Sequence, residues 1–245
     1  MLSDNAYHAN LDQHTCLTEP DNTIILEEAS LETVPKKYLQ DKNCKEIERK
    51  FGVTPEFQIL DANFHHPILS KLGNPQKRGR PDVVHFALLD ITSTPLYMKD
   101  KVRVVIHTVS HDTIILGKQV RVPRTLQRFC GVISKVLSER QTQFEKQHFE
   151  LTKNQSLRGL ITSLGTDTTI AFSIQGIPTD VSSLISQSRS EKTRVAWVVG
   201  GFAHGHFDES SRSVFDRIVS ISDASLPAHV VTSRLSYELE KLLVT

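Results

Sequence analysis

The most constraining feature of the sequence is a run of five apolar residues at positions 195–199 (VAWVV), which ends at a pair of glycines. The run is too short for most helices and contains no polar position that would face solvent. Both properties are typical of a strand buried on both faces, as in parallel sheets covered by helices. We therefore predict an α/β fold with this run as a strand inside the sheet.

The rest of the chain alternates strands with helices, which favours a parallel sheet flanked by helices. Strands are predicted at residues 23–27, 57–61, 169–173 and 218–221, and an antiparallel hairpin at 102–107 and 113–116. Helices are predicted from Pro35 to about Phe51, from Pro81 or Asp82 to before Pro95, from Pro123 onward, and at 157–164, 181–185 and 227–243. We interpret the hairpin, at about residues 100–120, as an insertion.

Length and composition indicate one large domain or two small ones, since the chain has 245 residues. We predict a flexible polar tail at residues 1–22 and a single domain at 23–245. Three widely spaced cysteines are inconsistent with a disulfide scaffold or a cysteine-based zinc ribbon. The sequence shows neither a secretory signal nor an apolar stretch long enough for a membrane helix, so we expect a cytoplasmic protein.

A row of arginines is the strongest local signal. Arg121, Arg124 and Arg128 are spaced three and four residues apart, so on a helix they would project from one side. The formal net charge is only +1, so any nucleic-acid-binding surface must come from local clusters such as this one. Guanidinium groups suit phosphate contacts, because each can donate two hydrogen bonds to one partner. An ordinary solvated helix face remains the alternative.

A second charged cluster, residues 77–82 (KRGRPD), lies where a helix is predicted to begin. Asp82 near the start of that helix would be favoured by the helix dipole, so it could serve only as a capping residue. Alternatively, Asp82 could hold the Arg80 guanidinium in a fixed orientation for a ligand.

Two loops follow predicted strands: a glycine-containing loop at residues 200–205 (GGFAHG) and a second loop at residues 221–226 (ISDASL). Neither loop matches a dinucleotide or P-loop phosphate motif. Ligands of open α/β sheets bind at the carboxyl ends of the strands, and glycine allows a close backbone approach there. The two loops could therefore hold an adenine-bearing cofactor, or they could be ordinary connections.

Histidine pairs at His65-His66 and at His204 and His206 lack a third ligand at a recognisable spacing, so we predict no metal site. No G-x-S-x-G motif is present that would indicate a serine hydrolase.

Five segments occur together in one order: RGRPDVVHFALLDITSTPL, VRVVIHT, RVPRTLQRFCGVISKVL, VVGGFAHG and SISDASLPAHVVTSRLSYELE. In this combination the chain resembles the ribosome-assembly RNA methyltransferases of the SPOUT class over about residues 23–243. The resemblance implies a trefoil knot in the C-terminal half, a homodimer, and S-adenosylmethionine as cofactor. It also implies that the reaction is methylation of N1 of a pseudouridine in small-subunit ribosomal RNA.

The resemblance also implies roles for individual residues. Arg80 would contact the RNA, Asp82 would fix Arg80, and Arg121, Arg124 and Arg128 would line the RNA path. The cofactor-binding residues implied are Phe172, Gly200, Gly205, His206, Phe207, Ile221, Ser222, Asp223, Ala224, Ser225 and Leu226. A non-catalytic RNA-binding assembly factor, or RNA chaperone, that uses the same basic surface remains the alternative function.

Overall fold

The structure is a computed structural model that describes residues 20–139, 141, 145, 148–191 and 193–244. The predicted tail at residues 1–22 therefore lies almost wholly outside the described residues. The N-terminal part contains β1 (Asn22–Ala29), α1 (Lys42–Phe51), α2 (Ala62–Leu69), α3 (Pro81–Thr92), α4 (Pro95–Met98), β2 (Arg103–Thr108), β3 (Thr113–Leu116) and α5 (Leu126–Leu137). The C-terminal part contains β4 (Phe149–Thr152), α6 (Leu157–Leu164), β5 (Thr168–Pro178), α7 (Val181–Ser190), β6 (Val195–Gly200), α8 (Glu209–Arg212), β7 (Arg217–Ser220) and α9 (Ala228–Leu243).

One seven-stranded sheet in the order β4-β3-β2-β1-β6-β5-β7 organises the molecule. Strands β2, β1, β6, β5 and β7, in that order across the sheet, are parallel to one another. Strand β3 is antiparallel to β2, and β4 is antiparallel to β3. The predicted hairpin is confirmed, and its first strand, β2, is an interior strand of the main sheet. The mostly parallel α/β architecture predicted from the sequence is confirmed.

Strand β6 lies inside the sheet, as its apolar sequence predicts, and residues 195–199 are all buried. Trp197 and Val199 pack with α3, α5 and α9 on one face, whereas Ala196 and Val198 pack with α6 on the other. Because successive side chains of a strand point to opposite faces, two apolar layers can form only on an uninterrupted apolar run. This burial fixes the edge of the sheet from which the loops at residues 200–205 and 221–226 emerge.

Three predictions of secondary structure are wrong, namely one strand and two helix starts. Residues 57–61 are not a strand: Pro55–Phe57 forms a single 3-10 turn, and only one isolated bridge, Thr33 to Ile59, is made. Here the Gln58 side chain ties the segment to α1 and to the loop after it, by donating to the Cys44 and Val53 carbonyls at 2.8 Å.

The other two corrections concern helix starts at prolines. The helix predicted from Pro35 begins at Lys42, where the Asp41 side chain caps it by accepting from Asn43 N–H at 2.9 Å. The helix predicted from Pro123 begins at Leu126. The carbonyl of Pro123 instead accepts a hydrogen bond from His85 Nε2 at 2.7 Å.

The last helix, α9, presents Ala228, Val231, Leu235 and Leu239 to the core, as predicted, and packs against α3 and α7. The trefoil knot that the resemblance implies stays a prediction. Among the described residues, no helix combines the length and apolarity needed to cross a membrane.

Candidate active site

A cavity of about 320 Å³ lies beside the carboxyl ends of β6 and β7. Ten of the eleven predicted cofactor-binding residues line it: Phe172, Gly200, Gly205, His206, Phe207, Ile221, Ser222, Ala224, Ser225 and Leu226. The exception is Asp223, which is exposed and is not part of the wall. The loops after β6 and β7 therefore do meet at one cavity, because both leave the same edge of the parallel sheet, with β5 between the two strands.

The walls of this cavity suit the adenosine cofactor that the resemblance implies. Apolar surface comes from Phe172, Val199 and Leu226, and Phe172 stacks on the buried Trp197 ring at 6.2 Å. Within the described residues, no hydrogen-bond acceptor is found for the backbone N–H groups of Gly205, His206, Ser225 and Leu226. Small-molecule sites are typically apolar with a few polar groups that fix the ligand's orientation. The residues present therefore fit this cofactor.

Gly201 holds the first loop against the end of β1. Its N–H donates to the Glu27 carbonyl at 2.7 Å, and its own carbonyl accepts from Ser30 N–H at 2.9 Å. A Cβ at this position would lie 2.7 Å from Ala29 Cα, so a side chain would force the two backbones apart. The second glycine of GGFAHG is therefore required by the crossing of two chain segments.

Arg80 and Asp82 form a two-point ion pair at the start of α3. Arg80 Nε donates to Asp82 Oδ1 at 2.8 Å, and Arg80 Nη2 donates to Asp82 Oδ2 at 2.7 Å. The hydrogen bond from Arg80 lowers the pKa of Asp82 below its ordinary value, against the opposing effect of burial. The Asp82 carboxylate also accepts backbone N–H groups in the first helical turn, so it interacts both with the start of the helix and with Arg80; the orientation of Arg80 for a ligand stays a prediction.

The loop that carries Arg80 has a backbone that only glycine adopts readily. Gly79 has φ +71°, and a Cβ there would lie 2.4 Å from Leu69 Cδ1. The following N–H, of Arg80, donates to Ser30 Oγ at 2.7 Å. Ser30 follows β1, and its own N–H bonds to Gly201. The Arg80 loop and the cavity loop are thus attached to the same short segment.

A cluster of the buried Glu28 and Lys77 with the exposed Asp208, called here the Lys77 cluster, makes a second connection. Lys77 is 3% exposed, pairs with Glu28, and donates to Asp208 Oδ1 at 2.7 Å. Its Nζ lies 4.9 Å from the centre of the Phe202 ring, and Phe202 lines the cavity. Asp208 N–H donates to Glu28 Oε1 at 2.7 Å. The cluster therefore joins the loop before Arg80 to the loop after β6.

Sequence reasoning missed this cluster because its members are far apart in the chain. The signal that could have found it is Glu27, Glu28 and Glu32 in an otherwise apolar segment, since buried carboxylates require partners. Glu32 pairs with Arg78. Glu27 Oε2 lies 2.7 Å from His107 Nδ1. Each glutamate thus ties a different segment to the end of β1.

The arginine row is exposed but is not a single helix face. Only Arg128 lies within α5; Arg121 precedes the helix, and Arg124, which was predicted to lie on it, precedes it as well. None of the three has a hydrogen-bonding or ion-pair partner among the described residues. His85 of α3 anchors the segment through Pro123, so the arginines are tied to the helix that begins next to Arg80. His85 is a further positioning residue that the sequence analysis did not identify.

The histidine pairs do not come together as metal ligands. His65 is buried and its Nε2 lies 3.1 Å from Gln58 Oε1, whereas His204 and His206 are exposed at the cavity. Throughout the described part of the chain, no group of three or more histidine, cysteine, aspartate or glutamate side chains could hold a metal ion.

Comparison with known proteins identifies the family. Residues 24–240 match the EMG1/NEP1 methyltransferase family, which is most of the chain. The chain belongs to the EMG1/NEP1 methyltransferase family. The resemblance to a SPOUT-class RNA methyltransferase, stated from the sequence, is thereby confirmed, and the protein is an enzyme of the methyltransferase class.

Individual relatives agree with this assignment over nearly their whole length. The ribosomal RNA small subunit methyltransferase Nep1 of Archaeoglobus fulgidus is 31% identical over 88% of this chain and 94% of its own. Its counterpart from Pyrococcus furiosus is 28% identical over 89% and 96%. A crystal structure of Archaeoglobus fulgidus Nep1 bound to S-adenosylhomocysteine superimposes with a TM-score of 0.79, at 29% identity, and covers 91% of this chain and 99% of that one.

Proposed function

We propose that this EMG1/NEP1-family protein uses S-adenosylmethionine to methylate N1 of a pseudouridine in small-subunit ribosomal RNA, in support of ribosome assembly. The observation that carries the proposal is the single cavity lined by residues of both loops, 200–205 and 221–226. The names of the relatives and the S-adenosylhomocysteine bound to the Archaeoglobus Nep1 structure support the substrate and the cofactor.

The reaction places few chemical demands on the protein. S-adenosylmethionine supplies a sulfonium methyl group: the N1–carbon bond forms as the carbon–sulfur bond breaks, sulfur keeps the electron pair, and the N1 proton leaves. Alignment of the reacting groups is worth up to about 7–11 kcal/mol. Backbone groups of residues 205–206 and 225–226 would hold the cofactor, and Arg80, fixed by Asp82, would contact an extruded nucleotide.

Asp82 is poorly suited to remove the N1 proton. Its pKa is lowered by the hydrogen bond from Arg80, and both of its oxygens already accept that side chain. A carboxylate with a lowered pKa is a weak base. We therefore assign Asp82 to positioning Arg80.

Incubation of ribosomal RNA fragments with labelled cofactor, followed by mass mapping, tests this function. We expect label on a pseudouridine-containing fragment and none when uridine replaces that pseudouridine, because uridine has no N1–H. Calorimetric titration with S-adenosylmethionine separates the enzyme from the RNA chaperone alternative. A chaperone without catalytic activity would bind the RNA but would show neither cofactor binding nor methyl transfer.

We also propose that the protein acts in the cytoplasm as a homodimer. Phe86 on α3 is 51% exposed and lies edge-on to the His229 ring of α9 at 6.1 Å. The first turn of α9 lines the cofactor cavity, and an exposed aromatic side chain packed beside this helix is typical of an interface. We expect Phe86→Asp to sediment as a monomer at concentrations where the unchanged protein sediments at twice the chain mass. Identical sedimentation would contradict this interface.

A further inference from the structure

A second cavity, of about 740 Å³, lies between α1, α2 and α5 and shares no lining residue with the first. Its wall is mostly apolar. The apolar wall residues include Ile47, Phe51, Val53, Phe57, Phe64 and Leu126. Asp61 and Gln127 add polar groups. Apolar walls with a few polar groups are typical of a ligand site, and the function proposed above assigns nothing to this one.

The cavity, called here the α1–α5 groove, borders the arginine row. Arg128, Gly131 and Lys135 follow one another at i, i+3 and i+7, so they share one side of α5. Gly131 and Lys135 line the groove. The exposed Arg128 therefore lies along its edge, where a phosphate bound to this arginine would bring a nucleotide next to the groove.

The other end of the groove approaches the Arg80 loop. The first residue of α2, Ala62, donates its N–H to the Gly79 carbonyl at 2.8 Å. Cys130 lines the groove, and its pKa is raised to about 12 by burial and then by the charges of Asp61 and Asp82. Asp82 is thus close enough to influence a groove residue. The groove, the Arg80 pair and Arg128 therefore border one continuous surface.

Two aromatic side chains of the groove are exposed to an unusual degree. Phe51 and Phe64 are 41% and 45% exposed, and their rings meet edge-to-face at 5.8 Å. Lys50 Nζ lies 5.2 Å from the centre of the Phe51 ring. Exposed aromatic rings beside cations are the arrangement on which single-stranded nucleic acids stack their bases.

We propose that the α1–α5 groove binds an unstacked nucleobase of the substrate RNA, separate from the base that is methylated. The inference rests on the function proposed above, because it takes RNA as the substrate. Phe51 and Phe64 supply the stacking surface, Arg128 holds the adjoining phosphate, and Asp61 and Gln127 can hydrogen-bond to the edge of the base. An apolar protein segment would fill the same volume, but it would not need the arginines along the rim.

A double-mutant cycle between protein and RNA tests the site. The probes are an RNA hairpin with the target pseudouridine in its loop, and a set of hairpins in which each other loop base is removed to leave an abasic residue. With the unchanged protein, we expect one abasic position to weaken binding about 5- to 100-fold, the contribution of one base stacked on an aromatic ring. Phe64→Ala should weaken binding of the intact hairpin similarly and should be insensitive to that lesion.

Conservative variants separate stacking from general apolar contact. Phe64→Trp should retain the affinity and the sensitivity to the lesion, whereas Phe64→Leu and Phe51→Leu should lose them. Met98→Ala removes an exposed apolar side chain that lines neither cavity, and it should leave RNA binding unchanged. Each variant is first required to bind S-adenosylhomocysteine with unchanged affinity, which shows that it is folded.

Two results would overturn the base site alone. The first is a Phe64→Ala variant that methylates the RNA and binds every hairpin with the affinity of the unchanged protein. The second is a Phe64→Leu variant that retains full affinity for the intact hairpin. The latter outcome would indicate an apolar protein partner. If the unchanged protein neither binds nor methylates the intact hairpin, the proposed function fails and the base site fails with it.

Discussion

At the scale of single residues, the Arg80–Asp82 pair shows how one carboxylate can serve both folding and function. Asp82 lies in the first turn of α3, where a negative charge is favourable, and accepts hydrogen bonds from Nε and Nη2 of Arg80. Because the ion pair is partly exposed, it contributes little to the free energy of unfolding, and its main effect is to orient the Arg80 side chain.

We expect Asp82→Asn to slow methyl transfer by about 10- to 100-fold, the cost of losing a charge-assisted hydrogen bond at a reacting group. Cofactor affinity should stay the same, because Asp82 does not line the cofactor cavity. Single-turnover methylation and calorimetry measure the two quantities separately. Unchanged turnover would show that orientation of Arg80 is not needed.

A second residue-scale prediction concerns the buried pair of Glu27 and His107. Burial alone would lower the pKa of His107, but the hydrogen bond and charge of Glu27 and the Gln155 carbonyl raise it overall. A histidine whose pKa is raised in the folded protein stabilises the fold fully at pH values below its pKa in the unfolded chain, about 6.5. That contribution is lost as pH rises through the folded-state pKa.

Glu27→Gln should therefore cost more free energy of unfolding at pH 6 than at pH 9. Urea denaturation of both proteins at the two pH values gives the difference. If the cost in free energy of unfolding were the same at both pH values, His107 would not be the positively charged partner of Glu27.

At the scale of elements, local sequence patterns predicted most of the fold. The helix at Leu157–Leu164 agrees at both ends, and β6 and α9 agree to within one residue, because apolar periodicity and length distinguish strands from helices. Helix starts at Pro35 and Pro123 were predicted too early, since proline is tolerated in the first turn but does not by itself begin a helix. Distant groups decide there: His85 holds the Pro123 carbonyl.

The Lys77 cluster is the element-scale feature whose partners no local pattern could identify, because it joins residues 49 and 131 positions from Lys77. We expect Lys77→Met to reduce the free energy of unfolding by about 3–5 kcal/mol, since it leaves Glu28 buried without its cation. Glu28→Gln in the same chain should restore much of the loss. Lys99→Met, at an exposed position, is the matched control and should change stability by less than about 0.5 kcal/mol.

Chemical denaturation measures all four proteins. If Lys77→Met were as stable as Lys99→Met, the cluster would not connect the Arg80 loop to the cavity loop. Restoration by Glu28→Gln distinguishes an unpaired charge from lost packing, because the second substitution removes charge but adds no side-chain volume.

At the scale of the whole molecule, the site is assembled around the end of β1. Gly201, Ser30 and the three buried glutamates bring the loops after β6 and before α3 to one place. The sequence identified the loops that line the cavity, but not these attachments, since they depend on which strands become neighbours. The net charge of +1 likewise conceals a surface where cations gather locally.

This last point can be tested through salt dependence. Binding of single-stranded RNA weakens with salt by about 0.7 in log K per log unit of salt for each phosphate neutralised. Arg124→Ala combined with Arg128→Ala should therefore lower affinity and reduce the slope by about 1.4, if each arginine neutralises one phosphate. Lys101→Ala, which removes an exposed cation that is not a member of the row, should leave the slope unchanged. If the double variant kept both the affinity and the slope of the unchanged protein, the arginine row would be only a solvated surface. If it lost affinity but kept the slope, the arginines would contact bases instead of phosphates.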